Sequence, residues 1–293
     1  DSAKGSVSIE GKESTSVEVP ETEALIVKAT AADNYMFYRW VEEGTETVIS
    51  YRHTYSYEGT EDKTLVAEFV EKDYPIMTRF YVTDLNQQNR YLGSVSYTAG
   101  DNTETLFTCA TQEELPFTEY KKLHTPQVEG AVIDKTENPI RLEEGVENFS
   151  MNFKQYNEDI TYNNGYRDIV CEPEIVWSYQ TLYIDWNDDK EFSGENEIYA
   201  AVGNNSGDNT FDDPDGNVTE GWDRTITVPA ETAPGTYRMR VVYMGPDPWS
   251  NDWPSKVFTE FYNEIRNGIA YDFEIAISPA SRIEGIASGK VYY

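Results

Sequence analysis

The feature that most constrains this chain is its punctuation. Short runs rich in Val, Ile, Tyr, Phe and Thr recur along most of its length, each closed by Gly, Pro, Asn or Asp. Examples are "ALIVKATA", "YMFYRWVEEG", "KTLVAEFV", "RYLGSVSYTAG", "TYRMRVVYM" and "YDFEIAI". Alternation is clear at Val17 and Val19 and at Leu65, Ala67 and Phe69, so one side chain in two faces a core. With 22 Tyr among 293 residues, the composition favours half-buried strands over helices. The chain is therefore expected to be mainly β: a small antiparallel N-terminal β module followed by a larger β-sandwich of jelly-roll or Ig-like type. One helix is expected over 112–123, where "QEELPFTEYKKL" is polar and helix-tolerant despite Pro116.

Domain limits follow from the same punctuation. Residues 1–73 hold a self-contained set of β runs, "VEKDYPIMTRF" forms the junction, and 74–280 hold the larger domain. Residues 281–293 read as a C-terminal tail cut short. The chain starts at Asp1 without a Met, which fits an exported protein whose signal has been removed. No run approaches the ~18–20 apolar residues of a membrane-spanning helix, so no membrane insertion by this segment is expected.

Net charge is −30. Nucleic acids and anionic membranes need a basic face, so neither is a partner. Cations, neutral glycans or extracellular proteins suit this charge better. Two cysteines, Cys109 and Cys171, are too few for a disulfide scaffold; one bridge or two buried thiols both remain open.

In the first block, Phe37, Trp40 and Gly44 precede a run ending "TLVAEF". The aromatic-x-x-Trp, the Gly turn and the closing Ala-x-Phe resemble a divergent internalin-type B-repeat of bacterial surface proteins. The resemblance implies a spacer or adhesive stalk. The residues themselves make Phe37, Trp40 and Phe69 the core anchors of so small a unit.

In the second block, "LYIDWNDDKEFSGENE", "TITVPAETAPGTYRMRVVYM" and "NGIAYDFEIAI" occur in that order. They are similar to the GEVED domain of secreted and surface proteins of Bacteroidetes and relatives. Pro234, Gly235, Thr236, Arg238, Met239 and Arg240 match its central strand. The closing motif keeps Gly268 and Asp272, but Ile269 and Tyr271 stand where the family has glutamates. The resemblance implies a non-catalytic extracellular or cell-surface module.

Catalytic constellations are scarce. The histidines are His53 and His124, in different domains and outside any zinc-hydrolase pattern. There is no nucleophile elbow, P-loop or dinucleotide fingerprint. Paired carboxylates for glycoside hydrolysis carry no signal when 53 residues are acidic.

Three loops remain as candidate sites. In the first, Asp185, Asn187 and Asp189 take positions 1, 3 and 5, and Glu191 and Glu195 continue the oxygen series. A turn of this spacing points alternate side chains at one hard cation such as Ca²⁺. It is not an EF-hand loop, because Lys190 and Asn196 occupy the places of the required Gly and Glu. Glu197 flanks the second of these places. The competing reading is a turn held by its own Asp and Asn side chains, with Trp186 and Phe192 clamping it to the core. The second loop offers Asp213, Asp215, Asn217 and Asp223 as a weaker cation set. Residues 185–223 carry 12 acidic residues and one basic. The third, "GPDPWSNDWPS", offers Trp249, Asn251, Asp252 and Trp253 for stacking on sugars, unless both rings fold back onto the sandwich. Arg238 and Arg240 share one strand face and are expected to pair with the acidic loops.

These readings converge on a non-catalytic binding or adhesion module for a glycan or a host or matrix protein. Alternatives are an accessory region of a secreted glycosidase or peptidase, and a structural spacer.

Overall fold

A computed structural model describes residues 3–16, 24–58, 62–80, 90–116, 119, 130–171, 178–194, 196–204, 221–244, 264–266 and 268–280. Val17 and Val19 fall outside them. The chain divides into two compact units, Asp1–Ile76 and Met77–Tyr293.

The first unit contains β1 (Gly5–Ile9), β2 (Leu25–Ala31), β3 (Tyr35–Glu42), β4 (Val48–Ser50), β5 (Thr54–Tyr57) and β6 (Leu65–Glu71). They form two three-stranded antiparallel sheets, β1-β2-β5 and β4-β3-β6. Trp40 is buried in one cluster with Val27 and Ala29, and Phe37 and Phe69 pack against this cluster. The Phe37 ring lies 5.8 Å from Trp40 and 6.1 Å from Phe69. Trp40 donates its indole N–H to the Arg52 carbonyl at 3.1 Å, so its one polar atom is satisfied. Gly44 has φ +74, a conformation that favours glycine in the turn after β3.

The second unit contains β7 (Thr78–Phe80), β8 (Leu92–Ala99), β9 (Asn102–Thr108), β10 (Val132–Asp134), β11 (Ile140–Glu143), β12 (Asn148–Gln155), β13 (Ile160–Asn163) and β14 (Asp168–Cys171). There follow β15 (Ser178–Asp185), β16 (Ile198–Asn204), β17 (Gly221–Thr227), β18 (Gly235–Met244), β19 (Glu264–Arg266) and β20 (Gly268–Ser278). One sheet runs β10-β20-β18-β15-β16, with β11 also on β20; the other runs β17-β12-β8-β9. β10 and β11 lie parallel to the last long strand, and β15, β16, β18 and β20 are mutually antiparallel neighbours. Together the two sheets make a mainly β sandwich.

The core lies between these sheets. Leu182, Ile184, Met239, Val241 and Phe273 face Val95, Met151, Phe153, Trp222 and Ile226 within one buried cluster. Trp222 of one sheet meets Tyr243 of the other at 5.0 Å. Ile269 and Tyr271 belong to this cluster. The positions that depart from the GEVED pattern are thus core positions here.

The helix expected over 112–123 is one 3-10 turn, Gln112–Glu114, among the described residues. Leu115 is extended at φ −76, ψ 138, as the residue before Pro116 prefers, because the proline ring clashes with a helical conformation there. No helix is long and apolar enough to cross a membrane among the described residues.

Candidate metal centre

β15 alternates strictly toward its end. Leu182 and Ile184 enter the core, so Tyr183 and Asp185 lie on the opposite face. Asp185 closes the strand opposite Arg238 of β18. The chain then turns through 186–197 and re-enters the sheet at Ile198 as β16.

The turn is built by its own side chains. Asp185 accepts the backbone N–H groups of Asp189 at 3.2 Å and Lys190 at 3.0 Å. The Asn187 carbonyl oxygen accepts from the Asp189 backbone at 2.9 Å, and Asp189 accepts from the Glu191 backbone at 2.8 Å. These bonds wind the chain around Asp185. Asp188, Lys190 and Asn196 adopt φ of 56°, 63° and 68°. Lys190 thus takes the left-handed conformation that an EF-hand reserves for glycine. The sequence departs from that pattern in residue type, but the backbone at this position does not.

Glu197 completes the arrangement. Its carboxylate accepts the Gly194 N–H at 2.6 Å, and its backbone carbonyl accepts from Ile184 at 2.9 Å. One carboxylate oxygen each from Asp185, Asp189 and Glu197 lie within 4.8 Å of one another. Two oxygens on opposite sides of a Ca²⁺ ion are separated by about 5 Å, twice the ~2.4 Å bond length, so the spacing fits one shared ion. Asp185 and Glu197 are 0% and 1% exposed, whereas Asp189 is exposed. Burial pushes the Glu197 carboxyl above its usual range, and the charges of Asp185 and Asp189 add to this against the lowering effect of the Gly194 and Asn187 N–H groups.

Glu197 is the member that spacing alone places worst, one residue beyond the EF-hand position. Its signal is the Gly194 to Glu197 step, which closes a small turn on the carboxylate. A Cβ at Gly194 would lie 2.5 Å from that group, so a larger residue there would push the Glu197 carboxylate aside.

Two aromatics hold the turn, as the sequence suggests. Phe192 is buried, 5.6 Å from the Tyr183 ring and 5.4 Å from the Arg240 guanidinium carbon. Trp186 packs 5.5 Å from Tyr237 and donates its indole N–H to the Tyr199 hydroxyl at 3.3 Å. Arg240 forms a two-point pair with Asp272 at 2.7 and 3.0 Å, and Arg238 reaches the same carboxylate at 2.9 Å. Asp272 lies on neighbouring β20, because Arg240 and Asp272 are register partners across the ladder.

Among the described residues, Asn187, Glu191 and Asp223 do not join this centre. Asn187 is exposed and spends its amide N–H on Asp189 at 3.1 Å. Glu191 is half-buried and outside the cluster of converging carboxylates. Asp223 sits on β17 in the opposite sheet, where its carboxylate accepts the Asn152 side-chain N–H. Glu195, Asp213, Asp215, Asn217, Trp249, Asn251, Asp252, Trp253 and His124 lie outside the described residues. Both cysteines are free thiols. Burial, with Glu114 beside it, pushes the Cys109 thiol up to about 11, so it is protonated at neutral pH and a poor nucleophile.

A family model for the GEVED domain matches residues 179–275. The match begins in β15, contains the acidic turn and the Arg238–Arg240 strand, and ends in β20. No curated protein matches the chain.

Proposed function

We propose that this chain is a non-catalytic secreted or cell-surface binding and adhesion module, with a calcium ion ordering its acidic turn. The observation that carries the reading is the convergence of Asp185, Asp189 and Glu197, two of them almost fully buried. The donor set is all carboxylate oxygen, which suits Ca²⁺ and not a soft metal. Buried like charges repel at this range, and a divalent cation would offset that repulsion. Backbone N–H groups already engage part of each buried carboxylate, so the turn is partly satisfied by itself. The ion would add to a preformed turn rather than create it.

The GEVED match supports a module of the kind found on secreted and surface proteins. Asp1–Ile76 is read as a B-repeat-like spacer, on its compact core around Trp40. A glycan or an extracellular protein is the expected partner.

The test is thermal unfolding of the full chain with Ca²⁺ and with chelator. Added Ca²⁺ raises the transition of the larger unit, by ~2.7 kcal/mol of stabilisation at 100 times Kd, and Asp185→Ala removes the response. No shift at saturating Ca²⁺ refutes the metal. Glycan arrays and cell-binding assays test the adhesion reading. Turnover of a glycan or peptide substrate, abolished by one carboxylate substitution, would replace it with an enzyme.

A further inference from the structure

The chain contains the step Asn-Gly twice, at Asn164–Gly165 and at Asn267–Gly268. An asparagine followed by glycine is prone to close on itself. The glycine nitrogen attacks the asparagine side-chain amide carbon and a cyclic imide forms, because no side chain shields that nitrogen. The reaction needs room and a backbone free to bend. The fold treats the two steps differently.

Gly165 stands at the tip of the β13–β14 hairpin, past the register pair Asn163 and Asp168. It is exposed, has φ +92, and a Cβ there would meet nothing within 4 Å. The Asn164 backbone N–H donates to the Arg167 carbonyl at 3.1 Å. The return bond uses the Asn164 side chain: Oδ1 accepts from the backbone N–H groups of Arg167 at 3.1 Å and Tyr166 at 3.0 Å. Two donors therefore point at the oxygen that becomes negative when its carbon is attacked. One bond must yield, the Gly165 N–H to Asn163 Oδ1 at 2.8 Å. Losing a single exposed hydrogen bond of this kind slows the reaction by about tenfold at most.

Gly268 is in the opposite situation. It is buried at the start of β20 and is the register partner of Met244 on β18. A Cβ there would lie 2.2 Å from the Tyr243 carbonyl oxygen and 2.4 Å from the Met244 Cα. The neighbouring strand leaves no space around this residue. Its nitrogen can bend toward the preceding side chain only after the end of β20 has left the sheet. Openings of core strands are the rarest short of global unfolding.

We propose that Asn164 is a site of spontaneous covalent modification, and that the fold protects the second Asn-Gly step. The Gly165 nitrogen gives its proton to solvent hydroxide and bonds to Asn164 Cγ. The Cγ–Nδ2 bond breaks, and Nδ2 takes a proton from water and leaves as ammonia. Water then opens the imide. Opening at Cγ gives aspartate, and opening at the main-chain carbonyl carbon gives isoaspartate. Both add a negative charge beside Asp168. Aspartate keeps an oxygen for the Tyr166 and Arg167 N–H groups, whereas isoaspartate routes the main chain through Cγ and undoes the turn. The hairpin tip thus changes charge and shape as the molecule ages. This depends on neither the calcium turn nor the binding-module reading.

The experiment incubates the full chain at mildly alkaline pH, folded and in urea, and maps it by tryptic digestion and mass spectrometry. Cleavage after Lys154 and Arg167 isolates residues 155–167, and cleavage after Arg266 and Arg282 isolates 267–282. Fragmentation that distinguishes isoaspartate from aspartate assigns the products, and a zero-time digest subtracts conversion during handling. In the folded chain Asn164 should convert to both products, and Asn267 to less than about a tenth of that extent. In urea the two steps should react alike. Gly165→Ala should slow conversion of Asn164 by about tenfold. If Asn164 stays intact in the folded chain while it reacts in urea, the hairpin protects it and the proposal is overturned. Equal conversion of both steps in the folded chain, or an unchanged rate in Gly165→Ala, overturns it as well.

Discussion

Replacing Asp272 by Ala tests the central electrostatic contact of the sandwich. Asp272 accepts three hydrogen bonds, two from Arg240 and one from Arg238. The Asp272 and Arg240 side chains are each 5% exposed, whereas Arg238 is 27% exposed. Removing the carboxylate leaves a buried guanidinium with its main acceptor gone, which costs ~3–5 kcal/mol. Arg238 can turn to water and adds little. For a unit of this size each kcal/mol moves the midpoint by ~2–4 °C, so the expected fall is about 10 °C. Differential scanning calorimetry of the full chain reads this on the transition of the larger unit. The control is the double replacement Asp272→Leu with Arg240→Met, which removes both charges and should sit within ~1 kcal/mol of wild type. Phe192 loses its cation in the double variant, a further ~0.5–1 kcal/mol. A fall below about 3 °C for Asp272→Ala, or a double variant as unstable as the single, would refute the argument.

Three other predictions concern the turn and the sheet. Because the Glu197 carboxyl holds its proton more tightly in the folded state than its usual value of 4.5, unfolding releases that proton. Stability in chelator should therefore fall as pH rises from about 4.5 through the raised folded value, and Glu197→Gln should flatten this dependence in pH-resolved melting curves. Lys190→Gly relieves the left-handed strain and removes a positive charge from the turn that carries the carboxylates, so stability should hold or rise by up to ~1 kcal/mol and Ca²⁺ should bind more tightly, read by urea unfolding and calorimetric titration. Gly268→Ala should destabilise by more than ~2 kcal/mol, because its Cβ would lie 2.2 Å from the Tyr243 carbonyl on the neighbouring strand; an unaltered melting temperature would show that the two strands separate easily there.

Much of the fold is legible in the chain because strand periodicity is local. Leu182 and Ile184 against Tyr183 and Asp185 show which residues face inward before any partner strand is known. The Gly and Asn turns mark where strands stop, and Phe37, Trp40 and Phe69 identify the small core. One expectation failed on local sterics. The 112–123 helix was weighed on polarity, but the steric demand of Pro116 keeps Leu115 extended. For Arg238 and Arg240 the chain alone offers only nearby acidic runs, whereas the register across the ladder brings Asp272 to Arg240.

The sequence by itself determined the β class, the turn built on Asp185, Asn187 and Asp189, and the aromatic clamp of Trp186 and Phe192, since each depends on residues close in the chain. Only the tertiary structure decided that Glu197 replaces Glu191 at the centre, because left-handed Asn196 and the Gly194 contact bend the chain back beneath Asp185. It also decided that Gly165 stands open at a hairpin tip while Gly268 is closed in by the Tyr243 carbonyl. Both follow an asparagine, and nothing local records that pairing β18 with β20 shuts one of them in.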